Sequence, residues 1–306
     1  MKLNKRVVSV FLLVGILLIG GCSSSNKSDA TNDNTGGEQS NVENNNGQAS
    51  NEGENTDETD LAGTITITGS TSVEKILNDM IDEFVAYNPE VTINYTGTGS
   101  SSGISDTVSK ANDIGASSRE LKGEEKVADL KEVIFAHDGI AVVVNPENKV
   151  KDISLSDLVK IYSGEITNWK EIGGNDANIV VVSREDASGT RSAFEELIKL
   201  GDAGGLVETA TVVEGNGTIQ SSVAGNPNAI GYVSFAYIDS SVSSLTVDGV
   251  EPTAENAKAG TYSLSRPFLL VYMESDASNE VKAFLDFAVS PEGQEFVAEH
   301  GGIKVD

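Results

Sequence analysis

The sequence predicts an α/β fold, and three segments that share one grammar predict it: an alternating or apolar strand, a turn of Gly, Ser and Thr, then a helix. In "GTITITGSTSVEKILNDMIDEFVAYNPE", Ile65 and Ile67 alternate as in a half-buried strand, and Val73, Ile76, Leu77, Met80, Ile81, Phe84 and Val85 recur at helical spacing. The helix therefore starts after Ser70, Thr71 and Ser72, any of which can cap it, and stops before Pro89. In "VTINYTGTGSSSGISDTVSKA", Val91, Ile93 and Tyr95 alternate ahead of a glycine- and serine-rich run, and a short helix rests on Ile104 and Val108. In "IVVVSREDASGTRSAF", Ile179 to Val182 form a continuous apolar strand; Phe194, Leu197 and Ile198 then give a helical stripe closed by Gly201.

Ahead of these segments, Lys2, Lys5 and Arg6 precede an apolar run from Val7 that ends in small residues before Cys22. The run is shorter than the roughly 20 residues a spanning helix needs. Residues 1–21 therefore read as a lipoprotein export signal, and Cys22 as the lipid-bearing first residue of the mature chain. Cys22 is the single cysteine, so neither an intramolecular disulfide nor a cysteine-based metal site is available. From 22 to 62 the chain is Asn, Ser, Gly, Glu, Asp and Thr with almost no large apolar residue, which reads as a disordered tether. Its flexible coil would span roughly 35 Å, at about 5–6 Å times the square root of its length.

The formal net charge is −26. Residues 63–306 hold 17 of the 21 basic and 38 of the 47 acidic side chains, a net of −21. Such a field repels nucleic acid, so no nucleic-acid partner is expected. An anion must be captured by local donors instead. The starts of the three predicted helices supply them, through N–H groups with no intrahelical partner and hydroxyls beside them. Taken singly, each Gly/Ser/Thr turn reads first as an ordinary cap or turn, the usual use of these residues. The third has the strongest case as an anion site, because Arg184 and Arg191 bracket it with charged forks suited to an oxyanion. Either arginine has an ion pair with Glu185 or Asp186 as its plain alternative.

Between the second and third turns, the extended run Val133 to Val144 either carries the chain across a hinge or folds as a hairpin at Asp138 and Gly139. A second crossing is expected near "YSLSRPFLLVYM", Tyr262 to Met273, before a last helix around Val281 to Phe287.

Taken in order, "GSTSV", "GTGSSSGI", "DIGASSREL", "DGIAVVVNP", "LSDLVKIYSGEITNWKEIGG", "SREDASGTRSAF" and "NPNAIGYVSFAY" resemble the phosphate-binding proteins that serve high-affinity phosphate uptake by ABC transporters. The resemblance covers most of 63–306. It implies a two-lobed, clamshell-like periplasmic-binding-protein fold of type II, with lobe I at 63–143 plus 264–306, lobe II at 144–263, and the ligand between them. It also implies that Ser70, Thr71 and Ser72 bind phosphate from the first turn, Ser100 and Ser101 from the second, and Arg184, Ser188, Gly189 and Thr190 from the third. Asp186 matches an acidic position expected to orient Arg184.

Many relatives place an aspartate directly after "GAS", where it accepts the proton that phosphate keeps and sulfate lacks; here Ser118 and Arg119 follow Ser117. Asp138 is the candidate substitute. Arg119 either adds a second positive contact or pairs with Glu120. The partners implied are inorganic phosphate and ABC permease subunits with their cytoplasmic ATPase. The receptor is expected to be a monomer on the outer face of the cytoplasmic membrane, held there only by its lipid anchor, with no cofactor or metal.

Other classes stay open at this point. A sulfate or molybdate receptor, or a phosphate sensor, would share the architecture. "GSSSG", Gly99 to Gly103, fits GxSxG, which would make Ser101 a hydrolase nucleophile with His137 or His300 as its base. No zinc spacing or EF-hand loop is evident, and Trp169 reads as packing.

Overall fold

The computed structural model describes residues 61–305. The expected signal, the Cys22 anchor and all but the last two tether residues lie outside them. Leu61, assigned to the tether, packs against the first core. No helix among the described residues is long and apolar enough to cross a membrane.

The chain begins with β1 (Gly63–Gly69), α1 (Glu74–Tyr87), β2 (Val91–Gly97), α2 (Ser100–Val108) and β3 (Ile114–Ser117), followed by the long β4 (Leu130–Val144). Next come β5 (Asp152–Ile153), α3 (Leu155–Ser163), β6 (Val180–Arg184), α4 (Gly189–Leu197), β7 (Thr211–Val213) and α5 (Asn216–Ala224). After β8 (Ala229–Ser234), β9 (Ser243–Ser244), β10 (Thr246–Val247) and α6 (Ala254–Lys258), β11 (Ser265–Met273) returns the chain to α7 (Asn279–Val289), α8 (Pro291–Glu299) and β12 (Ile303–Lys304). The main sheet runs β2-β1-β3-β11-β4-β8-β6-β7. Its two outer parts are parallel, β1 with β2 and β3 in one and β6 with β7 and β8 in the other, and the antiparallel β4 and β11 join them.

Two hydrophobic cores flank that junction and define the lobes. Ile65, Ile67, Leu77, Phe84, Phe135, Phe268 and Phe284 pack in the first, where the Phe84 and Phe284 rings meet edge to face at 5.4 Å. Ile140 to Val144, Tyr162, Trp169, Phe194, Ile230 and Tyr232 pack in the second, with Phe194 stacked on Tyr232 at 4.1 Å. Trp169 is core as expected, its indole N–H donating to the Asn228 carbonyl at 3.0 Å.

The run from Val133 does not turn back at Asp138 and Gly139. β4 continues straight through and changes core, from Phe135 and Ala136 in the first to Ile140 in the second. Residues 140–143, assigned to lobe I from sequence, therefore pack with lobe II. The register of β4 against β11 sets Arg266 directly opposite Asp138 at this crossing.

The helices follow their apolar stripes, but their caps differ from expectation. Val73 is the N-cap of α1 and makes no side-chain cap bond, and Gly99 likewise heads α2. Ser188 does cap α4, accepting from the Arg191 N–H. Gly201 does not close that helix, which ends at Leu197; it lies within a separate 3-10 turn, Leu200–Ala203. The N-caps of α1 and α2 are thus not serines; the Ser70 hydroxyl accepts from the Ser72 N–H and, with Ser72 and Ser100, also makes hydroxyl contacts at the inter-lobe seam.

Candidate functional site: a donor cluster between the lobes

β1, β3 and β6 all end at the seam between the lobes, where the carboxyl ends of parallel strands present their loops and helix starts. Ser70, Ser100 and Ser118 are buried there as a hydroxyl chain: Ser70 Oγ donates to Ser118 Oγ at 2.8 Å, and Ser100 Oγ lies 3.2 Å from it. Gly189, heading α4 from the other lobe, sits against this chain. Its neighbour Thr190 places Oγ1 2.7 Å from Ser72 Oγ. Gly99 takes a φ of +93°, where a side chain is strained, and an ideal Cβ there would stand 2.8 Å from the Ala187 carbonyl.

Arg184 is 1 % exposed. Its Nε and Nη2 grip Glu185 at 2.8 and 2.7 Å, and Nη2 also donates to Thr71 Oγ1 at 3.2 Å. Its Nη1 is buried with no protein partner. Burial alone would raise the Glu185 carboxyl, but the hydrogen bond and charge of Arg184 hold it below its ordinary range. Asp186, expected to orient Arg184, instead pairs with Arg191 at 2.6 Å. Arg191 also binds Glu195 and the Arg184 carbonyl, so its fork is engaged away from the donor cluster.

Two residues missed from sequence join the cluster. Asn216 Nδ2 donates to Thr71 Oγ1 at 3.2 Å and to Ser72 Oγ at 3.1 Å. Its signal was present, since "TVVEGNGTIQ" repeats the strand, glycine turn and helix pattern a fourth time. Arg266, a lone charge in the apolar run of β11, donates from Nη2 to Ser72 Oγ at 3.1 Å and to Asp138 Oδ2 at 3.0 Å; its Nη1 is buried with no protein partner.

Other candidates are occupied elsewhere. Arg119 does not pair with the Glu120 carboxylate; both of its Nη atoms bind the Glu125 carboxylate, at 2.8 and 2.7 Å, Nη1 also reaches the Glu120 carbonyl, and Nη2 reaches Ser101 Oγ at 3.0 Å. The Ser101 N–H is likewise spent, on the Ala187 carbonyl. Asp138 is 1 % exposed and accepts from Arg266, Ser234 and the Phe235 N–H. Neither histidine serves Ser101: His300 pairs with Asp79 at 2.7 Å, and His137 lines a surface cavity of about 380 Å³ with Ile303 and Lys304. No cluster of candidate metal ligands occurs among the described residues.

The Arg119–Glu125 pair makes a pH prediction. Burial would raise the Glu125 carboxyl, but Arg119 and the Lys122 N–H together lower it. A carboxyl lowered in the folded state stabilises the fold above its unfolded pKa of about 4.3 and loses that contribution as pH falls through the lowered value. Wild type should therefore melt above E125Q at neutral pH, with the gap closing below about pH 4; thermal unfolding across that range measures it.

Lobes joined by two crossing strands, closed on hydroxyls, amides and guanidinium groups, define a solute-binding receptor. Residues 51–292 match the family model for a PBP superfamily domain. The chain belongs to the PstS phosphate-binding protein family, whose members are substrate-binding proteins and not enzymes. It is 34 % identical over 251 residues to phosphate-binding protein PstS of Borreliella burgdorferi (78 % of this chain, 90 % of that one). It is 31 % identical over 312 residues to PstS of Bacillus subtilis (100 % of this chain, 95 % of that one). Among solved structures, a putative phosphate ABC transporter substrate-binding protein from Clostridium perfringens with bound phosphate matches at 48 % identity and TM-score 0.78, covering 80 % of this chain and 100 % of that one.

Proposed function

We propose that this chain is an extracytoplasmic receptor that closes its lobes on inorganic phosphate and delivers it to an ABC-type importer. The observation that carries the reading is the convergence of Arg184, Arg266, Thr71, Ser72, Thr190 and Asn216, with one buried, unpartnered N–H-bearing nitrogen on each guanidinium. A charged donor left unmade in the interior is costly, and a tetrahedral oxyanion offers the acceptors. Ser70, Ser100, Ser118, Ser188 and Gly189 complete the wall as positioning groups, and Arg184 is its principal charge. Phosphate-binding relatives and the phosphate-bound neighbour support the choice of anion.

Closure is reinforced outside the cluster. Lys75 Nζ donates to the Ala236 carbonyl at 2.9 Å and lies 4.3 Å from the centre of the Tyr237 ring, while Tyr237 OH donates to the Thr71 carbonyl at 2.9 Å. These contacts link α1 and the turn before it to the second lobe, and they would be made only in the closed form. The lipid anchor at Cys22 and the monomeric state belong to the same reading.

Calorimetric titration of the purified chain with phosphate tests the assignment. Saturable, one-to-one binding is the expected result, and heat at dilution level would remove it.

A further inference from the structure

We infer that Arg266 is a second ligand-binding guanidinium, held on target by Asp138, and that the site takes its anion as a dianion with no carboxylate to read the ligand's proton. This rests on the phosphate-receptor reading above and goes on to its ligand form and selectivity.

Arg266 is 4 % exposed and lies on one crossing strand directly opposite Asp138 on the other. Its Nε and Nη2 both bind Asp138 Oδ2, at 3.2 and 3.0 Å. Nη2 also reaches Ser72 Oγ, the hydroxyl that Thr190 and Asn216 contact from the second lobe. Two lobes and the hinge therefore meet at one oxygen. The charged groups facing Arg266 are Asp138 from β4 and Arg184 from β6, with the Tyr232 phenol from β8. Burial lowers Arg266 from its ordinary pKa; Asp138 opposes that shift and the like charge of Arg184 adds to it, a repulsion that an anion between them would relieve.

Asp138 cannot serve the ligand as well. A carboxylate has about four lone-pair directions, and here Oδ1 accepts from Ser234 Oγ and the Phe235 N–H while Oδ2 accepts twice from Arg266. Burial pushes its carboxyl up from the ordinary value against the pull of Arg266, yet these partners are all donors, so the geometry fits the carboxylate. Glu185 accepts from Arg184 at both oxygens and also from its own N–H and that of Gly215, and Glu74 makes no hydrogen bond to the donor cluster, its one approach being 3.5 Å to Tyr237 OH, whose proton goes to the Thr71 carbonyl. Each proton on a bound phosphate needs an acceptor; Thr71 Oγ1 already accepts from Arg184 and Asn216, and Ser72 Oγ from Arg266 and Asn216, so of these three hydroxyls only Thr190 keeps a lone pair to offer. The species with fewest protons fits best. Sulfate, with none, meets no unpaired repelling charge, so rejecting it is worth no more than about one neutral hydrogen bond, 0.5–1.5 kcal/mol.

The test is competition calorimetry on the purified full chain with phosphate and sulfate, about one pH unit below and above the second ionisation of phosphate. Phosphate should bind about tenfold tighter at the higher pH, sulfate equally at both, and sulfate within about a hundredfold of phosphate. R266Q should weaken both anions at least about tenfold, as for a hydrogen bond to a charged group. D138N should weaken both in parallel and leave their ratio and the phosphate pH slope unchanged, whereas loss of a carboxylate that read the ligand's proton would change both. Should R266Q fail to fold, R266K keeps the charge without the fork and should show the same paired loss. Flat phosphate affinity, sulfate weaker by more than a hundredfold, a changed ratio in D138N, or wild-type affinity in a folded Arg266 variant overturns the inference and leaves the receptor standing. Absence of phosphate binding by wild type removes the receptor reading, and this inference with it.

Discussion

Arg184→Ala is expected to cost at least about 2 kcal/mol of phosphate affinity, roughly 30-fold in Kd. The substitution acts at three places at once. It removes the buried, unpartnered Nη1, it cuts the Nη2 bond that ties the second lobe to Thr71 of the first, and it leaves Glu185 without its counter-charge. The last effect adds to the first. A carboxylate released beside the site repels an incoming anion, so the loss should exceed that of the shape-conserving Arg184→Met with Glu185→Gln. Calorimetry on the two variants, with melting curves to confirm folding, measures the difference. Near-native affinity in folded R184A would take Arg184 out of the site.

How much of this could be read from the chain depends on how far apart the partners are. The stripe from Val73 to Val85 is local, so its helix was legible, and the three glycine- and hydroxyl-rich turns were legible with it. The partner of a charge was not. Glu185 and Asp186 are adjacent, and the backbone path of one turn decides that the first faces Arg184 and the second Arg191. Arg119 met Glu125 because a short 3-10 turn folds the chain back on itself, a geometry that no periodicity encodes. Arg266 and Asp138 are 128 residues apart, and only the register of two crossing strands brings them opposite each other. Tertiary pairing, not propensity, decided these contacts, and it set Asp138 against the arginine on the opposite strand.

Gly189→Ala isolates closure from folding. An ideal Cβ at Gly189 would stand 2.1 Å from Ser100 Oγ, 2.6 Å from Ser118 Oγ and 2.7 Å from Ser100 Cβ. A hydroxyl can rotate away, but the Ser100 Cβ is fixed by the first turn of α2, so the lobes themselves must separate. Nothing else about the substitution is unfavourable. Gly189 is not among the glycines with positive φ, and it begins a helix in which alanine is the better former, so the unliganded protein should melt at or slightly above wild type. The cost falls on the closed form alone. Forcing a methyl into a packed seam costs about 1–3 kcal/mol, which predicts a phosphate affinity about 5- to 150-fold weaker. Small-angle scattering should show the ligand-induced contraction of wild type reduced or lost. Because Gly189 lies in one lobe and both serines in the other, wild-type affinity with full contraction in G189A would mean that the ligand-bound state does not bring α4 against the Ser100–Ser118 chain, and the closed geometry on which the donor cluster depends would be wrong.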